Sequence, residues 1–231
     1  MLERVWRIAT AVKGCSRVVI ATEDARIMEH AASFGAEAVM TPESCANGTE
    51  RVFAATGAAA ISEDLLLNLQ GDALLTPPWV LEAMIAEMEA APDADIVTPA
   101  VKLEGETLEA FKKQKLVTPA SGSSVVFDAQ RNAMYFSKAV IPYMRNAGTA
   151  SVYRHVGLYG YTRKGLEKYI RLAPTPLEQA EGLEQLRALE NGMKIRIAIV
   201  DYRGRTHGSV DAPEDVAVIE EIIAHEGELV G

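Results

Sequence analysis

The sequence is poor in cysteine and in aromatic residues, and it holds no long apolar run. Two cysteines, Cys15 and Cys45, in 231 residues are too few for a disulfide framework, so a reducing compartment is expected. No stretch approaches the roughly 20 consecutive apolar residues that a membrane span requires. The opening segment, MLERVWRIATAVKG, sets Leu2, Val5, Ile8, Ala11 and Val12 at helical spacing among Glu3, Arg4 and Arg7. It reads as an amphipathic helix and not as the continuous apolar run of a signal peptide, and the chain reads as a mature cytoplasmic protein. Positive charge is scarce as well. Lys and Arg total 23 against 32 Asp and Glu, a formal net charge of −9, which argues against a basic face for nucleic acid. An anionic small molecule is not excluded, because a few arginines or a metal ion reverse the sign inside a cleft.

What is present is the profile of a globular chain, 48% hydrophobic and 24% charged, long enough for one large domain, or at most two small ones, with a sizeable core. Strand-like and helix-like segments alternate through the first half. RVVIAT (17–22) is followed by the helical pattern EDARIMEHAASFG, AEAVMT by NGTERVFAATGAAA, and DLLLNLQ by PPWVLEAMIAEMEAA with proline at its start, before the strand DIVTPAV. Such alternation implies a parallel sheet with helices on both faces and a ligand site beyond the carboxyl ends of its strands. Asp72, in LLLNLQGD, stands at such an end. The second half differs. SSVVFD and AMYFSKAVIPY flank a short polar turn as a hairpin, RHVGLYGYT and KIRIAIV read as strands, and PLEQAEGLEQLRALENG reads as one periodic helix ending at Gly192. APEDVAVIEEIIAHE closes as a helix, residues 144–153 read as a mobile loop, and no repeat or linker divides residues 1–231.

Seven stretches together resemble the 3-deoxy-manno-octulosonate (Kdo) cytidylyltransferases, or CMP-Kdo synthetases: ATEDARI, NGTERV, NLQGD, VVFDAQRNAMYFSKAVIPY, RHVGLYGY, PLEQAEGLEQLRALENG and VDAPEDV. They stand in the family's order and span nearly the whole chain. The resemblance implies an α/β three-layer sandwich of the nucleotide-diphospho-sugar transferase type, with a mostly parallel central sheet and an inserted antiparallel hairpin. It implies a reaction in which the sugar 2-hydroxyl attacks the α-phosphate of CTP, giving CMP-Kdo for lipopolysaccharide synthesis and releasing pyrophosphate. It also implies a homodimer formed through the hairpin and following segment, residues 123–143.

Phosphoryl transfer needs charge on the α-phosphate screened and the nucleophile in line. Magnesium suits this, held by one or two carboxylates with phosphate oxygens and water. As the family pattern implies, Asp72 and Asp211 are the catalytic pair that would hold Mg2+. The plainer readings are a turn-forming aspartate at Asp72 and a helix N-cap at Asp211. On the nucleotide side, Asn47, Gly48, Thr49 and Arg51 open a helix whose positive end suits an anion, and Gln70 is placed for a hydrogen bond. A common Asn-Gly turn and a solvated arginine explain the same residues. For the acid sugar, the resemblance points to Arg154, His155, Tyr159, Glu184 and Gln185. Strand alternation puts His155, Gly157 and Tyr159 on one face, with Tyr135 and Ser137 as further lining residues. A lone His or Tyr on a strand is more often structural.

Two departures stand out. The family usually has glutamate and proline after QGD, where this chain has Ala73 and Leu74, which removes a carboxylate that a two-metal arrangement would use. The family's first strand and its basic, glycine-containing loop, which supplies an arginine and a lysine for the triphosphate, match nothing in this chain. The expected activity is CMP transfer to Kdo. The alternatives are another ulosonic acid (8-amino-Kdo or a neuraminate-like sugar) or nucleotide and sugar binding without turnover.

Overall fold

The computed structural model describes residues 1–146, 148–210 and 212–230. In chain order its elements are α1 (Leu2–Thr10), β1 (Ile20–Thr22), α2 (Ala25–Ser33), β2 (Ala38–Met40), α3 (Gly48–Ala58), β3 (Leu65–Asn68), α4 (Pro78–Ala90), β4 (Ile96–Leu103), α5 (Gly105–Val117), β5 (Ser123–Phe127), β6 (Ala133–Ser137), β7 (Val152–His155), β8 (Tyr159–Thr162), α6 (Arg163–Tyr169), α7 (Pro176–Glu181), α8 (Gln185–Glu190), β9 (Ile195–Val200) and α9 (Asp215–Glu226). They gather into two compact units, Met1–Ile85 with Tyr202–Gly231, and Ala86–Asp201.

The first unit keeps the strand–helix alternation read from the sequence. β1 and β2 pair in parallel, from Ile20 opposite Ala38 to Thr22 opposite Met40. Each following helix starts on a side-chain cap, because the first amide hydrogens of a helix have no partner within it. Asp24 accepts from the Arg26 amide at 2.8 Å and Asn47 from the Glu50 amide at 2.9 Å. α1 is amphipathic as its spacing requires. Val5 packs with Leu74, Leu75 and Ile219 of α9, while Glu3 and Arg7 pair on the solvent side.

In the second unit the sheet departs from expectation. β4 pairs antiparallel with β7 and with β8, and β5 pairs antiparallel with β6 and with β7. Only β9 runs parallel to β4. Taken together, the main sheet is therefore mostly antiparallel, not the mostly parallel sheet expected above. Connectivity is one cause: β5 and β6 are joined by a short turn, whereas parallel strands need a crossover of a dozen or more residues. β9 has such a crossover, through α6, α7 and α8.

Two further segments correct the sequence reading. RHVGLYGYT is two strands, not one, and the break falls opposite Thr98 and Pro99 of β4: β8 pairs Ile96 and Val97, while β7 starts at Ala100. Proline offers no amide hydrogen to a ladder. The Thr98 hydroxyl meets the carbonyls of Leu158 at 2.7 Å and Val156 at 3.2 Å, and the Val156 amide donates to the Pro99 carbonyl. The periodic stretch 176–192 is two short helices, divided where Gly182 turns left-handed at φ 63°. Helices α5 and α6 were not read from the sequence. Of the expected loop 144–153, Val152 and Tyr153 already belong to β7, and Ala147 lies outside the described residues.

Candidate active site

In the first unit Asn47, Gly48 and Arg51, expected on the nucleotide side, gather beyond the strand ends. Glu23 follows β1, Thr41 follows β2 and Asn68 closes β3. Asn47 caps α3, and Glu50 reaches back to the Ala46 amide at 2.8 Å, so both carboxamide and carboxylate serve the helix start. A Cβ on Gly48 would lie 3.3 Å from the Asn68 amide nitrogen, so the absence of a side chain there lets α3 approach β3. Thr49 is buried. Arg51 pairs with Glu23 and donates to the Thr41 hydroxyl at 2.8 Å. Its guanidinium is thus positioned across the ends of β1 and β2. Gln70 and Gly71 are exposed, and Asp72 sits in the turn after β3.

The backbone around Asp72 is tied down twice. Its carbonyl accepts the Leu74 amide at 2.9 Å and the Val210 amide at 3.3 Å. Val210 is the residue before Asp211, which lies outside the described residues. The expectation that a plain cap would explain Asp211 meets a different arrangement: α9 begins at Asp215 with Glu214 as its cap residue, and the Asp215 carboxylate accepts the Ala212 amide at 2.8 Å. Among the described residues no three His, Cys, Asp or Glu side chains gather as a metal cluster.

In the second unit His155, Tyr159 and Gln185 form one buried wall. The rings of His155 and Tyr159 lie 5.8 Å apart, and the Tyr159 hydroxyl donates to the Gln185 amide oxygen at 2.9 Å. Burial holds the Tyr159 hydroxyl well above its usual pKa, so it remains a donor at neutral pH. With its oxygen engaged, Gln185 directs its amide nitrogen elsewhere; that nitrogen is buried and has no hydrogen-bond partner among the described residues. An unpaired buried donor costs about 1–3 kcal/mol, a standing preference for a ligand oxygen. Glu184 precedes it. Burial pushes the Glu184 carboxyl up, and the Arg187 charge opposes that rise. Arg187 itself holds Glu178 through two contacts, 2.8 and 2.5 Å, which fastens α8 to α7.

Arg154 is not part of that wall. Neighbouring strand residues point to opposite faces, and Arg154 lies with Val152 on the α5 side, its guanidinium 5.7 Å from the centre of the Phe111 ring. Lys115 approaches the same ring at 5.4 Å, and burial, then the charges of Lys138 and Arg154, lower its pKa. Tyr135 and Ser137 both turn to Glu181, donating at 3.3 and 2.7 Å, and the Lys138 amide joins them at 2.7 Å. Glu181, Glu23 and Thr98 went unremarked in the sequence. Only Thr98 carried a visible sign, as a polar residue beside proline in an otherwise apolar strand.

Polar groups gathered where parallel strands end are the setting in which open α/β sheets bind nucleotides, and the first unit has that arrangement at the ends of β1 and β2. The cytidylyltransferase family profile matches residues 1–195, and the chain belongs to that family. It is 52% identical over 231 residues, all of this chain and 89% of the relative, to 3-deoxy-manno-octulosonate cytidylyltransferase of Maricaulis maris (strain MCS10). It is 39% identical, over 95% of this chain and 86% of the relative, to 8-amino-3,8-dideoxy-manno-octulosonate cytidylyltransferase of Shewanella pealeana (strain ATCC 700345 / ANG-SQ1). Among solved structures it is similar to CMP:2-keto-3-deoxy-manno-octonic acid synthetase complexed with CTP, at TM-score 0.86 and 30% identity over 97% of this chain and 88% of that one.

Proposed function

We propose that this enzyme transfers CMP from CTP to the 2-hydroxyl of 3-deoxy-manno-octulosonate and releases pyrophosphate, supplying an activated sugar for lipopolysaccharide synthesis. The observation that carries the reading is the 52% identity, over the whole chain, to a relative of that name. The 8-amino sugar is the substrate named for a relative of lower identity, 39%, and is the second choice. In the reaction the hydroxyl oxygen bonds to the α-phosphorus as the bond from that phosphorus to the bridging oxygen breaks, pyrophosphate leaves with that oxygen, and the hydroxyl proton passes to water.

The chain's own residues divide the work. Asn47, Gly48 and Thr49 present the start of α3 to the nucleotide, where helix amides favour negative charge. Arg51, steadied by Glu23 and Thr41, and Gln70 complete that side. His155, Tyr159, Glu184 and Gln185 bound the sugar, and the unpaired Gln185 nitrogen donates to one of its oxygens. Arg154, on the opposite face of β7 beside Phe111, is left out of the sugar contacts. Asp72 and Asp211 are hard oxygen donors of the kind magnesium takes, and the Val210 amide on the Asp72 carbonyl supports their pairing. Bound there, magnesium would screen the α-phosphate and lower the pKa of the attacking hydroxyl.

Two further parts belong to the same reading. Exposed apolar side chains at Met134, on the hairpin, and at Tyr143, after it, suit burial against a second copy, so segment 123–143 is the proposed dimer contact. A cytoplasmic setting follows from the supply of CTP. The deciding assay is pyrophosphate release by the chain with CTP, magnesium and 3-deoxy-manno-octulosonate, against omission of the sugar. Release that needs all three supports the proposal, and sugar-independent or absent release refutes it. Asp72→Ala should abolish turnover with little change in the thermal transition; full activity in that variant would remove Asp72 from the metal site.

A further inference from the structure

Within the sugar wall His155 has both ring nitrogens engaged by hydroxyl side chains. Nε2 lies 2.8 Å from the Thr98 hydroxyl and Nδ1 lies 3.1 Å from that of Ser123. All three residues are buried, Thr98 completely. Thr98 decides the protonation pattern. A hydroxyl has one hydrogen to donate, and the Thr98 oxygen also meets the carbonyls of Leu158 at 2.7 Å and Val156 at 3.2 Å. Carbonyls only accept, so the Thr98 hydrogen is committed to them. Nε2 must then be the donor toward Thr98, and in the neutral ring Nδ1 accepts from Ser123.

We infer that Thr98 and Ser123 are positioning residues that fix His155 in its Nε2–H tautomer, so that His155 offers the sugar no ring nitrogen and acts by buttressing Tyr159. The inference rests on the acid-sugar reading given above. The consequence runs along the wall. A fixed His155 ring is packed edge-on to Phe136 at 4.9 Å and lies beside Tyr159 at 5.8 Å. Tyr159 in turn sets the Gln185 amide with its nitrogen toward the ligand. The same Thr98 hydroxyl bridges the strand break opposite Pro99, so one side chain both joins β7 to β8 and orients the ring at the end of β7. Glutamine and histidine each have two orientations of similar shape and opposite hydrogen-bonding sense. A wall built from them recognises a sugar only when both are set.

The test combines nitrogen NMR of the imidazoles with kinetics on the full chain. In the folded, ligand-free protein His155, identified by loss of its signals in His155→Gln, should show a protonated Nε2 and a bare Nδ1. The pattern should persist when 3-deoxy-manno-octulosonate and CTP are added. A protonated Nδ1 with bare Nε2, or a change of tautomer on adding the sugar, overturns the inference. Thr98→Val should mix the tautomers and raise KM for the sugar roughly tenfold, the effect of one mis-set buried hydrogen bond. Its kcat and its KM for CTP should stay within about twofold, and Thr98→Ser should restore both the tautomer and the sugar KM. Mixed tautomers with an unchanged sugar KM overturn it. Should Thr98→Val not fold, Thr98→Ala, which removes the same hydroxyl, takes its place under the same criteria. If the wild type releases no pyrophosphate, the proposed reaction falls, while the imidazole signals and calorimetric sugar binding still decide the role of His155.

Discussion

Glu181, at the end of α7, tests how the hairpin is tied to the helices that carry Glu184 and Gln185. Its carboxylate accepts from the Ser137 hydroxyl and the Lys138 amide at 2.7 Å each and from the Tyr135 hydroxyl at 3.3 Å. Ser137 is 4% exposed, so Glu181→Ala strands a buried hydroxyl and a partly buried backbone amide. Each such loss costs about 1–3 kcal/mol, and partial access of water brings the sum to about 2–4 kcal/mol. For a chain of this size that is a fall in Tm of roughly 5–15 °C. Glu181→Gln has a milder expectation. Its amide oxygen can take the Lys138 hydrogen while its nitrogen donates to the two hydroxyls, which can turn to accept. The loss is then charge assistance, about 1 kcal/mol or roughly 2–4 °C. Thermal unfolding of both variants beside the wild type measures this, and sugar KM should rise with CTP KM unmoved. Equal losses in the two variants, or a Glu181→Ala transition within about 1 °C of the wild type, would refute the account.

Two other perturbations follow from particular contacts. A Cβ on Gly165 would sit 2.3 Å from the Asp95 carbonyl oxygen and 2.9 Å from the Thr162 hydroxyl. Gly165→Ala should therefore cost about 3 kcal/mol or more, read by urea unfolding. The hydrogen bond from Arg187 holds the Glu178 carboxyl below its usual pKa. Its stabilisation is present above the unfolded carboxyl value near pH ~4.3 and is lost as pH falls through the lower folded value. The Tm gap between the wild type and Glu178→Gln should accordingly be steady from about pH 5 to 7 and narrow below about pH 4; a gap that widens on acidification would sink this.

Local patterns were legible where they obey one period. The amphipathic α1, the Asn47 cap and the position of Asp72 after β3 all follow from residues within a few positions of one another. The antiparallel sheet was not legible from the first half, because strand direction depends on the length of the connection and not on the composition of the strand. Gly182 was hidden inside a periodic run, since a left-handed residue interrupts a helix without altering the spacing of its apolar side chains. The break in RHVGLYGYT has its cause in Pro99, more than 50 residues away in sequence. The surroundings of His155 were equally out of reach: its hydroxyl partners lie 57 and 32 residues upstream.

The polar groups of the two units differ in how they are satisfied, and under the proposed substrate assignment that difference bears on specificity. In the first unit Asn47 serves the Glu50 amide, and Arg51 serves Glu23 and Thr41. Each already has a protein partner, so a ligand adds contacts without relieving a deficit. In the second unit the Gln185 nitrogen is buried without one among the described residues. A site built around an unpaired donor rejects a ligand that lacks the matching oxygen, because that donor then stays unpaired in the complex. Removing one sugar hydroxyl that faces Gln185 should therefore cost more than removing a nucleotide oxygen at Asn47 or Arg51. Under the proposed assignment of the sugar to this wall, discrimination among acid sugars lies in α8 and the strands behind it.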